Sequence, residues 1–123
     1  VFAHLDPSYI KNYHFDTETL GKIIHKLKDQ NIQLVLVQYP ITPPMKAHLK
    51  EQGVLTQFEQ NLHQAEVQYH VPFLDLSSLP ELDAYYQTYF ADGNHLNTLG
   101  AEKFSPLLES KLIPYTEGKP HAF

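Results

Sequence analysis

Apolar residues first recur at helical spacing in "DTETLGKIIHKLKDQN", where Leu20, Ile23, Ile24 and Leu27 share one face behind a cap candidate at Asp16 or Thr17. This predicts a helix over residues 17–30, ended at Asn31. The period then changes. "IQLVLVQYP" is a nearly continuous, β-branched apolar run of strand length, which fits a strand buried on both faces, as in a parallel sheet covered by helices. Tyr39-Pro40 stops it, and the prolines of "ITPPMK" predict a loop. Leu55, Phe58, Leu62, Ala65 and Tyr69 then step by three and four residues along a second helix, residues 54–69. "VPFLDLSS" reads as a second short buried strand. The polar and aromatic "LPELDAYYQTYFADGNH" holds room for one helical turn at Glu81 to Tyr86. A last helix carries Leu99, Phe104, Leu107, Leu108 and Leu112, with Pro106 expected to kink or divide it. The tail from Pro114 to Phe123 is expected to be irregular.

The order α-β-α-β-loop-α is that of a doubly wound α/β protein. Two strands, or three if Val1 to His4 ends another, make a very narrow parallel sheet, and parallel sheets need cover on both faces. Residues 1–113 are therefore expected to be the C-terminal portion of one larger α/β domain, or to complete their sheet with another chain. Residues 114–123 form the tail. The chain begins at Val1 rather than methionine, which points to an upstream segment taken away by processing or cleavage.

Composition narrows the functional classes. The 123 residues suit one small domain. Hydrophobic residues at 42% and aromatics at 12% are enough for a packed core, and 19% charged residues are too few for a disordered, solvating chain. A net charge of −5 and a pI near 5.8 give no reason to expect nucleic acid or an anionic membrane surface. No cysteine means no disulfide framework and no thiolate metal site, and leaves the redox compartment open. The apolar runs are too short to span a bilayer, and no basic segment followed by a hydrophobic one opens the chain.

The candidate chemistry lies in "FADGNHLNTLGAEKFS". A carboxylate beside a histidine works when it accepts the imidazole Nδ1–H, fixing the tautomer and stabilising the imidazolium that forms as Nε2 takes a proton. Asp92 and His95 stand three positions apart across the Gly93-Asn94 turn, between an α/β core and its last helix, where such folds usually bind ligands. Taken alone, the pattern also reads as a turn pair, an N-cap at Asn97 and an ordinary surface histidine. Tyr85, Tyr86, Tyr89 and Phe90 either line an apolar acyl or sugar pocket beside His95 or pack the loop onto the core. Met45 with "TPPMK" is a candidate lid over the same crevice. His4, His14, His48, His63, His70 and His121 show no metal-ligand spacing on one helix face, and His25 and His63 read as helix-surface residues. A site made by His95 with Asp92 is the metal alternative to a catalytic pair, and no cofactor is expected.

The residues around that pair resemble something larger. "FADGNHLNTLGAEKFSPLL" is similar to the last block of the SGNH (GDSL-type) hydrolases, whose Asp-x-x-His supplies two members of a Ser-His-Asp triad ahead of a C-terminal helix. The order of elements over residues 17–113 resembles the second half of that three-layer α/β/α, flavodoxin-like fold. "HLNTLGA" also resembles SGNH-like proteins of bacterial cell envelopes, some of them O-acyltransferases or without established activity. The resemblance implies that His95 is the general base and that Asp92 orients it. Tyr86, Tyr89 and Phe90 are the candidate substrate-binding residues by their apolar faces and polar tips, and the resemblance implies a carboxylic ester or an acylated carbohydrate as substrate. It leaves envelope, periplasm and cytoplasm all open. The family's nucleophile and oxyanion blocks are not found: no Gly-Asp-Ser occurs, and the serines are Ser8, Ser77, Ser78, Ser105 and Ser110. Asn12 precedes the first helix without a Gly-x-Asn-Asp context. An N-terminal segment or a separate chain is then the expected partner, bringing the serine and oxyanion hole, without which the covalent step is lost. Three readings follow: an esterase or acyl hydrolase, a carbohydrate O-acyltransferase on the same fold, and a catalytically silent binding module.

Overall fold

The computed structural model of the chain describes residues 16–116. The expected strand end at Val1 to His4 and the tail beyond Thr116 lie outside them. The described residues form a mixed α/β unit. Its elements are α1 (Thr17–Asp29), β1 (Leu36–Gln38), α2 (Pro43–Glu51), α3 (Val54–Tyr69), β2 (Phe73–Asp75), the short α4 (Pro80–Asp83) and α5 (Tyr86–Tyr89), and α6 (Thr98–Thr116).

Local chemistry sets most of these boundaries. Asp16 caps α1 by accepting from Thr19 N at 2.9 Å, and Asn31 leaves the helix with φ of 57°, a left-handed value that asparagine tolerates better than most residues. Between α2 and α3 the chain turns at Gly53 with φ of 76°, where a side chain would be strained. Strands β1 and β2 pair in parallel, with Leu36 opposite Phe73, Val37 opposite Leu74 and Gln38 opposite Asp75.

The two faces of this small sheet are covered by different helices. On one face α1 packs on α3: Gly21 leaves room for the Tyr69 ring, His25 meets that ring edge-on at 6.3 Å, and Lys28 Nζ donates to Tyr69 O at 2.9 Å. Phe73 lies on this side, edge-on to His63 at 5.9 Å. On the other face Leu76, Leu79, Leu82, Phe90 and Phe104 form a buried cluster, with Val37, Leu74, Tyr86, Tyr89, Leu96, Leu107 and Leu108 packed against it. Burying a side chain of this size stabilises the fold by about 1.5–3 kcal/mol, so this cluster is the main support of α6 and of the turn before it.

Five expectations are corrected. "ITPPMK" is not a loop, because Thr42 caps α2 and the two prolines occupy its first turn, where their missing N–H groups cost nothing. Met45 is accordingly no lid: it is buried, 2% exposed, against Gly93. Pro106 does not divide α6, which runs past Pro114 to Thr116 as one helix. Glu102, four residues before Pro106, is exposed, so water can satisfy the carbonyl that loses its donor. The predicted turn at Glu81 to Tyr86 is instead two short helices, α4 and α5. The apolar run Leu34 to Val37 is half-buried rather than enclosed.

Candidate functional site

The turn that carries Asp92 and His95 is held at every corner. Phe90 and Leu96 form an antiparallel bridge, and Ala91 N donates to His95 O at 2.8 Å, closing the segment between them. Asp92 Oδ1 accepts from Asn94 N at 3.0 Å. Thr42 fastens the turn to the start of α2, donating from N at 3.0 Å and from Oγ1 at 3.1 Å to Gly93 O. Gly93 packs on Met45 so closely that a Cβ there would collide with it.

Asn97 fixes the other end. Its N donates to Tyr89 O at 3.0 Å, its Nδ2 to Thr88 O at 2.7 Å, and its Oδ1 accepts from Gly100 N at 2.9 Å as the cap of α6. A Cβ on Gly100 would strike Tyr89 O, so only glycine lets the first turn of α6 lie on that backbone. The spacing Asn97-x-x-Gly100 is thus the mount of the histidine turn.

Within this frame His95 Nδ1 stands 2.9 Å from both Oδ1 and Oδ2 of Asp92. The Asn94 N–H and the imidazole together hold the Asp92 carboxyl below its ordinary range, the backbone donor being the larger cause. An ionised carboxylate accepts and does not donate, so Nδ1 carries the proton and Nε2 is left as the basic nitrogen. Among the described residues Asp92 is the imidazole's hydrogen-bond partner, and the His95 side chain is 68% exposed.

His95 also lines a cleft of about 370 Å³ with Tyr39, Pro40, Asn94, Leu96, Phe104, Ser105 and Leu108. Tyr39 follows β1 directly and meets Phe104 edge-on at 5.2 Å, so the cleft opens at the carboxyl end of the strand, the usual ligand position of α/β folds. Sequence reading missed Tyr39 and Phe104 as cleft residues. The signal was present in Tyr39-Pro40, an aromatic at the carboxyl end of a strand.

The structure brings Asp92 and His95 together and puts the tyrosines elsewhere. Phe90 is 8% exposed in the core cluster, Tyr86 and Tyr89 pack against it, and Tyr85 faces solvent, so none of the four lines the cleft. Their placement is that of loop packing. No described serine stands at His95 as a nucleophile. Ser77 is wholly buried and donates from Oγ to Asp75 Oδ1 at 2.6 Å, and Ser78 contacts Lys46 Nζ. Ser105 lines the cleft, but its hydroxyl donates to Ala101 O at 2.8 Å. Among the described residues no three histidine, aspartate or glutamate side chains gather to hold a metal ion, and no helix is long and apolar enough to cross a membrane. Comparisons with protein-family models, with curated proteins and with solved structures found no match to this chain.

Proposed function

We propose that the chain supplies the acid-base half of an SGNH-type serine esterase or acyl hydrolase acting on carboxylic esters, within a three-layer α/β/α domain. One observation carries the reading: an aspartate held ionised at 2.9 Å from Nδ1 of a histidine that lines a cleft at the carboxyl end of a strand. That arrangement makes Nε2 a general base. It takes the proton of a serine hydroxyl as the oxygen attacks the ester carbonyl, and returns it to the alkoxide as the carbon–oxygen bond of the ester breaks. Asp92 touches no reacting atom; it selects the tautomer and stabilises the imidazolium. The serine and the oxyanion-stabilising donors come from polypeptide outside the described residues.

The test is labelling of the full-length protein by a serine-directed fluorophosphonate, with His95→Ala alongside. Labelling that falls by about 10³-fold or more in the variant supports the pair as a general base. Absence of labelling in folded full-length protein overturns the hydrolase and leaves a binding module.

A further inference from the structure

Two polar atoms of the His95 cleft are left as acceptors by bonds that the chain makes for itself. Ser105 lines the cleft, and its Oγ gives its one hydrogen to Ala101 O at 2.8 Å, so lone pairs are what it offers to a ligand. His95 Nε2 is in the same condition. The Asp92 carboxylate fixes the imidazole proton on Nδ1, which leaves Nε2 to accept. A ligand that matches this cleft therefore donates at two points, one on the turn before α6 and one on α6 itself.

The rest of the lining adds a flat apolar wall. Tyr39 is exposed at the end of β1, and its ring is braced edge-on by Phe104, which is itself buried in the core cluster. Beside His95 the Asn94 carboxamide brings both a donor and an acceptor. The described residues that line the cleft include no lysine, arginine, aspartate or glutamate, so this surface complements an uncharged ligand. Its volume of about 370 Å³ falls within the roughly 300–1,000 Å³ of small-molecule sites.

An alkyl chain laid here would cover Ser105 Oγ and the Asn94 carboxamide without bonding either, which penalises it. A sugar ring meets both demands. Its hydroxyls donate to the two acceptors, and the slightly positive hydrogens on its C–H face rest on the negative π-face of an aromatic ring. We propose that the cleft binds an uncharged sugar residue, its ring on Tyr39 and a hydroxyl donated to Ser105 Oγ. The role of that sugar rests on the hydrolase reading, in which it is the alcohol part of the ester and its oxygen is the alkoxide to which Nε2 returns the proton. The binding itself does not rest on that reading. Tyr39 and Ser105 then set specificity by holding the alcohol away from the reacting atoms.

Nuclear magnetic resonance titration of the full-length, isotopically labelled protein with the methyl glycosides of glucose, galactose, mannose and N-acetylglucosamine tests this. At least one glycoside is expected to shift the resonances of Tyr39, His95 and Ser105 together. Tyr39→Ala should weaken that binding by about tenfold or more, Ser105→Ala by about fivefold, and Tyr39→Phe, which keeps the ring, by less than about threefold. No shift at these residues with any of the glycosides would overturn the proposal, as would binding that neither Tyr39→Ala nor Ser105→Ala weakens. Hexanol that shifts the same resonances more than every glycoside would overturn it too, because the cleft would then be an alkyl site. Fluorophosphonate labelling of the same samples separates the two claims. A labelled protein that binds no glycoside loses the sugar and keeps the hydrolase, whereas an unlabelled one that binds a glycoside keeps the sugar site alone.

Discussion

Two aspartates in this chain make the same turn and reach different ends. Asp75 Oδ1 accepts from Ser77 N at 2.9 Å and from Ser77 Oγ at 2.6 Å; Asp92 Oδ1 accepts from Asn94 N at 3.0 Å and sits 2.9 Å from His95 Nδ1. Both carboxylates thus bind a backbone N–H two residues on and a polar side chain beside it, and both turns are tied to the Ile41–Thr42 segment. Burial separates them. The Ser77 hydroxyl is sealed, 0% exposed, so its bond to Asp75 only fixes the turn. His95 is 68% exposed at a cleft, so the bond to Asp92 leaves a basic nitrogen free for chemistry. A carboxylate beside a polar hydrogen is therefore not a site until one partner keeps a second functional atom within reach of a ligand.

Neutralising each aspartate in turn separates the two turns by function. Asp92→Asn is expected to lower the rate of fluorophosphonate labelling of the full-length protein by about 10³–10⁴-fold, because the amide presents the imidazole with the wrong tautomer. Asp75→Asn should leave that rate unchanged and instead cost about 1–2 kcal/mol in chemical unfolding. Equal losses of labelling in the two variants would erase the distinction.

The core supports both turns, so a cavity there should spare neither. Phe104→Ala empties the cluster shared with Leu76, Leu79 and Phe90 and removes the ring against which Tyr39 rests. A loss of about 3–5 kcal/mol by denaturant titration is expected. A smaller and more selective effect comes from Thr42→Val, which removes the hydroxyl that binds Gly93 O and caps α2 at Met45 N. It should cost about 1–2 kcal/mol and raise hydrogen exchange around Gly93 more than around Ser77.

Acid should act on the two carboxyl environments with opposite sign. Asp92 is held below the ordinary aspartate value of about 3.9, so its contribution to stability is complete above that value and is lost as pH falls through the lower folded one. Asp83 is the reverse. Burial pushes its carboxyl up against the lowering influence of Lys46, and its buried Oδ1 has no hydrogen-bond partner among the described residues. The fold is therefore better served by its protonated form, and stability drops as pH rises from about 3.9 through the raised value. Asp83→Asn should raise the melting temperature by a few degrees at neutral pH, with the gain shrinking in acid. Asp92→Asn should lose its stability deficit over the same acid range. Parallel pH profiles for the two variants would contradict this.

Much of the helical frame could be read from residue spacing. The stripe Leu55, Phe58, Leu62, Ala65, Tyr69 marks α3 because apolar periodicity reports which side a helix buries, and Asp16 and Asn31 bound α1 by their own backbone chemistry. Pro43, Pro44 and Pro106 misled for a common reason. A proline's effect depends on where its missing N–H would have pointed, into a first turn or toward a wet surface, and that is a property of the assembled helix. The burial of Leu34 to Val37 was overread because a run of aliphatic residues states what a strand needs and not whether a neighbour has supplied it. At the site, Asp92 and His95 were legible as a local pair across a tight turn. Tyr39 and Phe104 were not, because they are distant in sequence and meet only where the end of β1 comes under α6. Tyr86, Tyr89 and Phe90 stood next to the histidine in sequence, yet the bridge at Phe90 turns them into the core.

The pairing of Asp92 with His95 is tested most directly by nitrogen resonances of the His95 imidazole in the full-length protein at neutral pH. The expected spectrum shows Nδ1 protonated and Nε2 unprotonated, and Asp92→Asn moves the proton to Nε2. A ring that carries its proton on Nε2 in the unaltered protein, and does not respond when Asp92 is changed, would contradict a base held ready at the cleft.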